Sequence, residues 1–545
     1  MDTLSSNESL FEIARLRYRP PVLGLLDTIK NLQIVTEDFT PAETTPSYEE
    51  LSKRLPYLSQ TPRVKIVPTS QSVSGPILRI GALLSGGQAP GGHNVIIGLF
   101  EALKVFNPEN KLFGFLKGPL GLVSKLYKEL TPSIIYNYYN TGGFDMLSSS
   151  REKIETEAQK EAILKTVTEM NLDGLLIIGG DNSNTDNAIL ANYFSEKNIK
   201  TTVIGVPKTV DGDLKNQWIE TSLGFDTACK TYSEIIGNLA KDVLSAKKYY
   251  HFIRLMGRSA SYTTLECALK TNPNIALISE EIAFKGLTLK DIGKNVLKVI
   301  QKRQELNRNY GIILIPEGLI EQIKDTRLLI REINNLIPLV EDHTEKIPEL
   351  LSIQSATSFK ELPESIQKQL LLKRDSHGNV RVSEIKMEDL IVKIVNEESA
   401  KIKNLEPFNP ITHFLGYESR AGFPSNFDSN YGMALGIVSA LLLVHRLNGY
   451  MAVINNLNLC YRRWTPGAIP LFNMMHIAQR KGRQTPVIKT DLVNIENPAF
   501  KKLETERKLS AYGDNYIFPG PIQFFGPSEL CDTKPLTLTL EQETQ

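Results

Sequence analysis

Between Gly179 and Asp213 the chain carries GGDNSNTDN at one end and IGVPKTVDGD at the other. Four carboxylates (Asp181, Asp186, Asp211, Asp213) and Lys208 therefore fall beside two glycine-containing turns. Such turns let backbone N–H groups approach an anion, and carboxylates beside them can hold a metal ion or take a proton. The combination points to phosphoryl transfer. Asp181, directly after a glycine pair, is placed to hold Mg²⁺, which bridges phosphate oxygens. An aspartate there also serves as a helix N-cap, but Asn182 or Ser183 can cap equally well, which leaves Asp181 for a ligand. Asp211 is the natural base for a hydroxyl acceptor, and Lys208 supplies fixed positive charge for the transferred group. The competing interpretation is a solvated loop whose charges cancel.

A second glycine-rich turn, SGGQAPGGHN (Ser85 to Asn94), precedes a helical pattern whose dipole favours an anion. It lacks the lysine of a Walker loop and does not match GxGxxG, so a plain strand-to-helix turn explains it as well. Arg258 in MGR, Glu317 in PEG and Arg420 in YESR each stand just past a strand-like run. Two arginines converging on one site suit a phosphorylated sugar, and Glu317 can accept hydrogen bonds from its hydroxyls. Singly, each is more often a surface charge or an ion pair. No histidine has metal-ligand spacing and no GxSxG is present; His251 and His413 read as core histidines.

The elements that must position these residues are strands alternating with helices. Runs at 77–84, 112–116, 174–178 and 202–206 read as strands ending in the glycine-rich or acidic turns. A second set, 250–255, 311–315 and 412–416, ends at MGRSAS, PEG and YESR, and 451–454 adds a further strand. This alternation predicts a doubly wound, largely parallel α/β fold with ligands at the C-terminal strand ends. Residues 1–75 read as an extension with one helix at 9–18 and a Pro/Thr/Ser/Glu-rich stretch through TPAETTPSYEE. Residues 319–408 read as a helical insertion with helices at 326–337, 366–372 and 387–395 and a turn at DSHGN; beyond Cys460 the chain reads as irregular.

At 545 residues the chain is long enough for two or three domains. Its 41% hydrophobic and 23% charged residues are ordinary for a globular protein, and a net charge of +1 argues against a nucleic-acid partner. Cys229, Cys267, Cys460 and Cys531 match no metal or redox spacing and read as free thiols. The N-terminus has no signal-like apolar run. Gly432 to Val444 falls short of the roughly 20 residues that cross a bilayer and reads as a core helix. A cytoplasmic protein without a membrane partner is expected.

Taken together, SGGQAPGGHN, GFLKGPLGL, TGGFDML, GGDNSNT, GVPKTVDGDL, TSLGFDTA, RLMGRSAS, IPEG and GYESR resemble the 6-phosphofructokinases, and more closely their long, pyrophosphate-dependent type. The resemblance runs from about residue 77 to 464. It implies two doubly wound, largely parallel α/β lobes with the active site in the cleft between them, plus the helical insertion and terminal extensions. The donor lobe would span 76–222, completed by about 419–460, and the sugar-phosphate lobe 223–418, with 461–545 as a C-terminal segment. The implied reaction is reversible, Mg²⁺-dependent phosphoryl transfer from pyrophosphate to the 1-hydroxyl of fructose 6-phosphate.

By the same resemblance, Gly86 and Gly87 match pyrophosphate-contacting glycines, Asp181 the Mg²⁺ site and Asp211 the base. Thr209, Val210, Met256, Gly257, Arg258, Glu317, Tyr417, Glu418, Ser419 and Arg420 match the sugar-phosphate set. Lys248 and Tyr249 match positions that reach a neighbouring subunit's site, implying a homodimer or higher homo-oligomer. ATP-using relatives tend to carry glycine at the positions of Asn182 and Lys208, whereas the pyrophosphate type usually carries Asp and Lys. Here Lys208 is kept but Asn182 stands in for Asp. Asparagine has nearly the same volume and still obstructs ATP, but the charge repulsion against its α-phosphate is lost. The alternatives are ATP as donor, or a non-catalytic regulatory subunit; Asp181, Lys208, Asp211, Arg258 and Arg420 all being present argues against the latter.

Overall fold

The computed structural model describes residues 9–37, 46–340, 343–372, 381, 384–403, 405–480, 483–521 and 532–542. In the N-terminal extension, Ser9 caps the Leu10–Arg17 helix by accepting from the Glu12 N–H. Strands β1 (Leu32–Thr36) and β2 (Val64–Pro68) then pair antiparallel, an element the sequence pattern did not reveal. Residues 38–45 of the Pro/Thr/Ser/Glu-rich stretch lie outside the described residues, and its last part begins a helix, Pro46–Arg54.

The main sheet starts with β3 (Arg79–Ser85), β4 (Lys111–Phe115), β5 (Tyr127–Glu129), β6 (Ser149–Ser150), β7 (Gly174–Gly179) and β8 (Thr202–Pro207). The second sheet is β9 (Tyr250–Leu255), β10 (Ile275–Ala276), β11 (Gly311–Pro316) and β12 (Pro410–Leu415), in the order β10-β11-β9-β12 and parallel throughout. The chain returns to the first sheet with β13 (Tyr450–Asn455) and β14 (Thr465–Pro470), giving the order β14-β13-β8-β7-β3-β4-β5 with β6 beside the end of β3.

The central strands are buried on both faces, which is why they read as unbroken apolar runs. In β7, Leu175 and Ile177 enter one core while Leu176 and Ile178 enter the other. In the smaller sheet, Ile313 and Ile315 of β11 face one core, Ile312 and Leu314 the other. The apolar stretch read as a core helix is Asn426–Val444, and every residue in it is buried. It packs closely on the Gly92–Phe106 helix because both carry glycine at the contact. A Cβ on Gly98 would lie 2.2 Å from Met433 O, and one on Gly436 2.1 Å from Val95 O.

Strand registers set the site. Gly179 pairs with Pro207 across β7 and β8, while Leu255 aligns with both Pro316 and Leu415. Each sheet therefore delivers its turns at one level. The insertion forms helices Lys324–Val340, Ile353–Glu361, Glu364–Leu371 and Met387–Ser399; the expected DSHGN turn lies outside the described residues.

The region beyond Cys460 differs from the expected irregular chain. β14 closes the edge of the large sheet, β15 (Met475–Arg480) pairs with β16 (Arg483–Ile488), and Pro498–Ser510 is a helix. The sequence TPGAIP hides β14 because Pro466, Gly467 and Pro470 read as strand breakers. At an edge, proline's missing N–H costs no ladder hydrogen bond.

Candidate active site

A single cleft receives the C-terminal ends of both sheets. From the large sheet come Gly86 and Gly87 after β3, Asp181 and Asn182 after β7, and Lys208 to Asp211 after β8. The smaller sheet contributes Met256 and Arg258 after β9, Glu317 after β11, and Tyr417 and Arg420 after β12.

The turn after β3 is glycine for two distinct reasons. Gly86 has φ +82°, a region that L side chains rarely adopt. At Gly87 a Cβ would lie 2.2 Å from Arg420 Nη2 and 3.6 Å from Arg151 Nη2, so a side chain would displace the guanidinium. The Gly86 N–H donates to Ser150 O at 2.9 Å, and Ser149 Oγ donates back to Gly86 O at 2.8 Å. These bonds brace the turn against β6.

The Asp181–Glu196 helix begins at Asp181 itself, with Gly180 as an N-cap that makes no side-chain bond. The expectation that Asn182 or Ser183 caps this helix is therefore not met. Asn182 Nδ2 donates to Asp181 Oδ1 at 3.0 Å, and Ser183 Oγ donates to Ser85 Oγ at 2.8 Å, tying the first turn to β3. Asn182 thus orients the carboxylate beside it.

Lys208 is 4% exposed and its Nζ donates to Gly87 O at 2.7 Å. Burial pushes its pKa down to about 7; Arg420 and Arg151 push the same way, while Asp211 and Asp181 oppose them. Asp213 is buried and pushed up to about 8, first by burial and then by repulsion from Asp211 and Asp181, with Arg258 opposing. Burial likewise lifts Asp186 to about 7. The Asp211 N–H donates to Thr209 Oγ1 at 3.1 Å, and Gly212 has φ +75°, so Asp211 is held in a tight turn.

On the opposite wall, fully buried Glu317 accepts from the Gly257 N–H at 3.0 Å, locking the β9 turn to the β11 turn. Gly257 serves this wall through its backbone while its neighbours Met256 and Arg258 face the cleft. Glu418 and Ser419 do not line the cleft. Glu418 Oε2 accepts from the Gly416 N–H at 2.7 Å, and buried Ser419 donates to Tyr232 Oη at 2.6 Å, which in turn donates to Gly416 O at 2.7 Å. A one-turn 3-10 helix over Tyr417–Ser419 cannot aim all its side chains one way, so only Tyr417 and Arg420 reach inward. Arg420 Nη2 donates to Gln88 Oε1 at 3.1 Å, joining the two walls. Lys248 and Tyr249 precede β9, at the opposite end of the strand from Met256 and about 25 Å away at strand rise.

Arg151, with Glu152 and Lys153, also lines the cleft and was not singled out from sequence. It follows β6, which has only two residues and hence no periodicity to read. The nearby TGGFDML motif was the available signal.

Comparison with known proteins places this architecture. The family described as phosphofructokinase matches residues 79–443. A pyrophosphate–fructose 6-phosphate 1-phosphotransferase of Entamoeba histolytica is 44% identical over 97% of this chain and 98% of its own length. The enzyme of that name from Treponema pallidum is 47% identical over 85% of this chain and 84% of its own. Among solved structures, a pyrophosphate-dependent phosphofructokinase from Nitrosospira multiformis superposes with a TM-score of 0.54 at 16% identity, covering 85% of this chain and 96% of that one, a likeness of fold. Matched over more than half its length, and aligned nearly end to end with a relative at this identity, the chain belongs to the phosphofructokinase family.

Proposed function

We propose that the protein transfers a phosphoryl group reversibly from pyrophosphate to the 1-hydroxyl of fructose 6-phosphate. The observation that carries this reading is the position of Asp211, which shares one cleft with the glycine turn, Asp181 and Lys208 on one side and with Arg258, Glu317 and Arg420 on the other. A carboxylate between an anion cradle and a sugar-phosphate wall is suited to take the acceptor's proton while the phosphoryl group crosses. Lys208, whose charge is weakened by burial, regains it beside a polyanion and then neutralises charge on the transferred group. Arg258 and Arg420 hold the ester phosphate, and Glu317, fixed by Gly257, presents its carboxylate to the sugar. Reversibility follows because a pyrophosphate anhydride and a sugar ester lie closer in energy than ATP and an ester.

A divalent metal suits the donor wall. The described residues contain no group of three or more His, Cys, Asp or Glu that could hold a metal alone. Burial raises Asp213 and repulsion from Asp211 and Asp181 adds to it, which sets these carboxylates near one another on the donor wall. Mg²⁺ is the ion that takes one or two carboxylates and completes its shell with water and phosphate oxygens. Asp181 would hold it, and its positive charge would be supplied against the donor's phosphate groups. Lys248 and Tyr249, remote from the cleft of their own chain, would complete a neighbour's site in a homodimer or higher homo-oligomer.

Initial rates with pyrophosphate and with ATP, each with Mg²⁺ and fructose 6-phosphate, test the donor. Pyrophosphate is expected to dominate; a dominant ATP rate overturns the assignment. Asn182→Gly should then raise the ATP-to-pyrophosphate rate ratio by about tenfold or more, the scale of a steric pocket change. Activity of the purified chain by itself separates an enzyme from a regulatory subunit.

A further inference from the structure

The loop that carries Asp211 is held from outside by the C-terminal part of the chain. The backbone N–H of Asp491 donates to Asp213 O at 2.8 Å, and its carboxylate accepts from Tyr262 Oη at 2.7 Å. Tyr262 backs the loop at Gly212, where an added Cβ would lie 3.1 Å from Tyr262 Cβ. Lys215, two residues past Asp213, pairs with Glu541 of the Leu536–Gln542 helix, and its Nζ lies 5.0 Å from the Tyr262 ring centroid. The side chains of this pair are only 16% and 11% exposed, so solvent screens it far less than a surface pair.

The helix bearing Glu541 is itself anchored. Fully buried Glu266 accepts from the N–H groups of Leu536 and Thr537 at 2.6 and 2.7 Å. Just upstream, Lys230 Nζ donates to Thr533 O at 2.8 Å and Asn426 Nδ2 to Asp532 Oδ1 at 3.0 Å. Neither Lys215 nor Glu541 lines the cleft. What they fix is the far end of a turn whose pivot, Gly212, is the most permissive residue type.

We propose that Lys215 and Glu541 are a positioning pair through which the C-terminal helix holds the Asp211–Lys215 loop at its working geometry. The inference rests on reading Asp211 as the base. A base displaced by about 1 Å costs on the order of 10²-fold in rate, so the pair acts on turnover rather than on substrate affinity.

Charge reversal tests it in the full-length protein with pyrophosphate, Mg²⁺ and fructose 6-phosphate. Lys215→Glu and Glu541→Lys should each lower kcat about tenfold or more with both KM values within about twofold. The Lys215→Glu/Glu541→Lys double variant should recover most of the loss. Wild-type kcat in the singles, a loss confined to KM, or a double variant no better than the singles overturns the proposal. If either reversal fails to fold, Lys215→Met and Glu541→Gln are measured for the same split of kcat from KM. Trp218, one of two tryptophans and three residues past Lys215, supplies a readout that needs no turnover. Its emission should shift in each single variant and return in the double. An inactive wild type with that fluorescence pattern intact would sink the reading of function and leave the latch standing; turnover without the pattern would sink the latch alone.

Discussion

The two walls of the cleft are built differently. On the large-sheet wall, ionisable groups are held against their own burial: Lys208 is pushed down to about 7 and Asp213 up to about 8. On the small-sheet wall Glu317 is committed to the Gly257 N–H, and behind it Glu418 is committed to the Gly416 N–H, while Ser419 and Tyr232 close the same turn. The first wall holds groups whose charge burial suppresses and whose protonation a polyanion and a cation would reset on arrival. The second is shaped in advance by hydrogen bonds. On the proposed function, a donor that changes charge during reaction calls for adjustable electrostatics, whereas the ester phosphate and unreactive hydroxyls of the acceptor call for a rigid mould.

The largest test breaks the junction between the walls. Asp211→Ala should lower kcat by about 10³-fold, the scale of general-base catalysis, with circular dichroism and Tm unchanged; near-wild-type turnover refutes the assignment. On the donor wall, Lys208→Met should cost about 10²-fold in kcat, as removal of one charge-stabilising donor does elsewhere. Lys208 is charged below its pKa of about 7 and loses its charge above it. In the wild type kcat/KM for pyrophosphate should therefore fall as pH rises through about 7. The kcat profile should break at a higher pH, because the bound polyanion raises the lysine's pKa; a profile shared unchanged by Lys208→Met would contradict this.

The acceptor wall should answer differently. Arg258→Met should raise KM for fructose 6-phosphate about tenfold, the worth of a charge-assisted phosphate contact, with KM for pyrophosphate unmoved. Equal changes in both constants would mean that the walls are not separate. The smallest effect is on stability. Folding lifts Asp213 from 3.8 to about 8, so the folded state binds more protons than the unfolded across that window, and stability drains away as pH rises through it. Asp213→Asn should therefore raise Tm most above pH 8, on the order of a few degrees, and leave it unchanged near pH 4. Thermal melts at pH 5 and 8.5 would show a gain that grows with pH, and a gain independent of pH would place the effect elsewhere.

Much of the fold was legible because its strands are buried on both faces. GLLIIG at 174–179 and TVIGVP at 202–207 carry no charge and only Thr202 as a polar side chain, and they end at the turns that carry Asp181 and Lys208. Elements that depend on distant partners were not legible. β1 and β2 are each half-exposed and stand 27 residues apart, so neither shows a buried run. Arg15 looks like one basic residue of an amphipathic helix, yet it is 1% exposed and donates to Asn426 and Ser429 far along the chain. The motif YESR gave its four residues equal standing, and only the 3-10 turn separated Tyr417 and Arg420 from Glu418 and Ser419.

Local sequence signals suffice to say which chemical groups stand at the strand ends, since strand, turn and helix patterns are short-range and the glycines mark where the backbone must turn sharply. Which of those groups meet was decided by the tertiary structure. A side chain at Gly87 would displace the guanidinium of Arg420, a residue more than three hundred positions away. Lys208 and Asp213 titrate near neutrality because packing strips their water and sets like charges beside them. Desolvation and Coulomb energies depend on neighbours in space, and those neighbours are not neighbours in sequence.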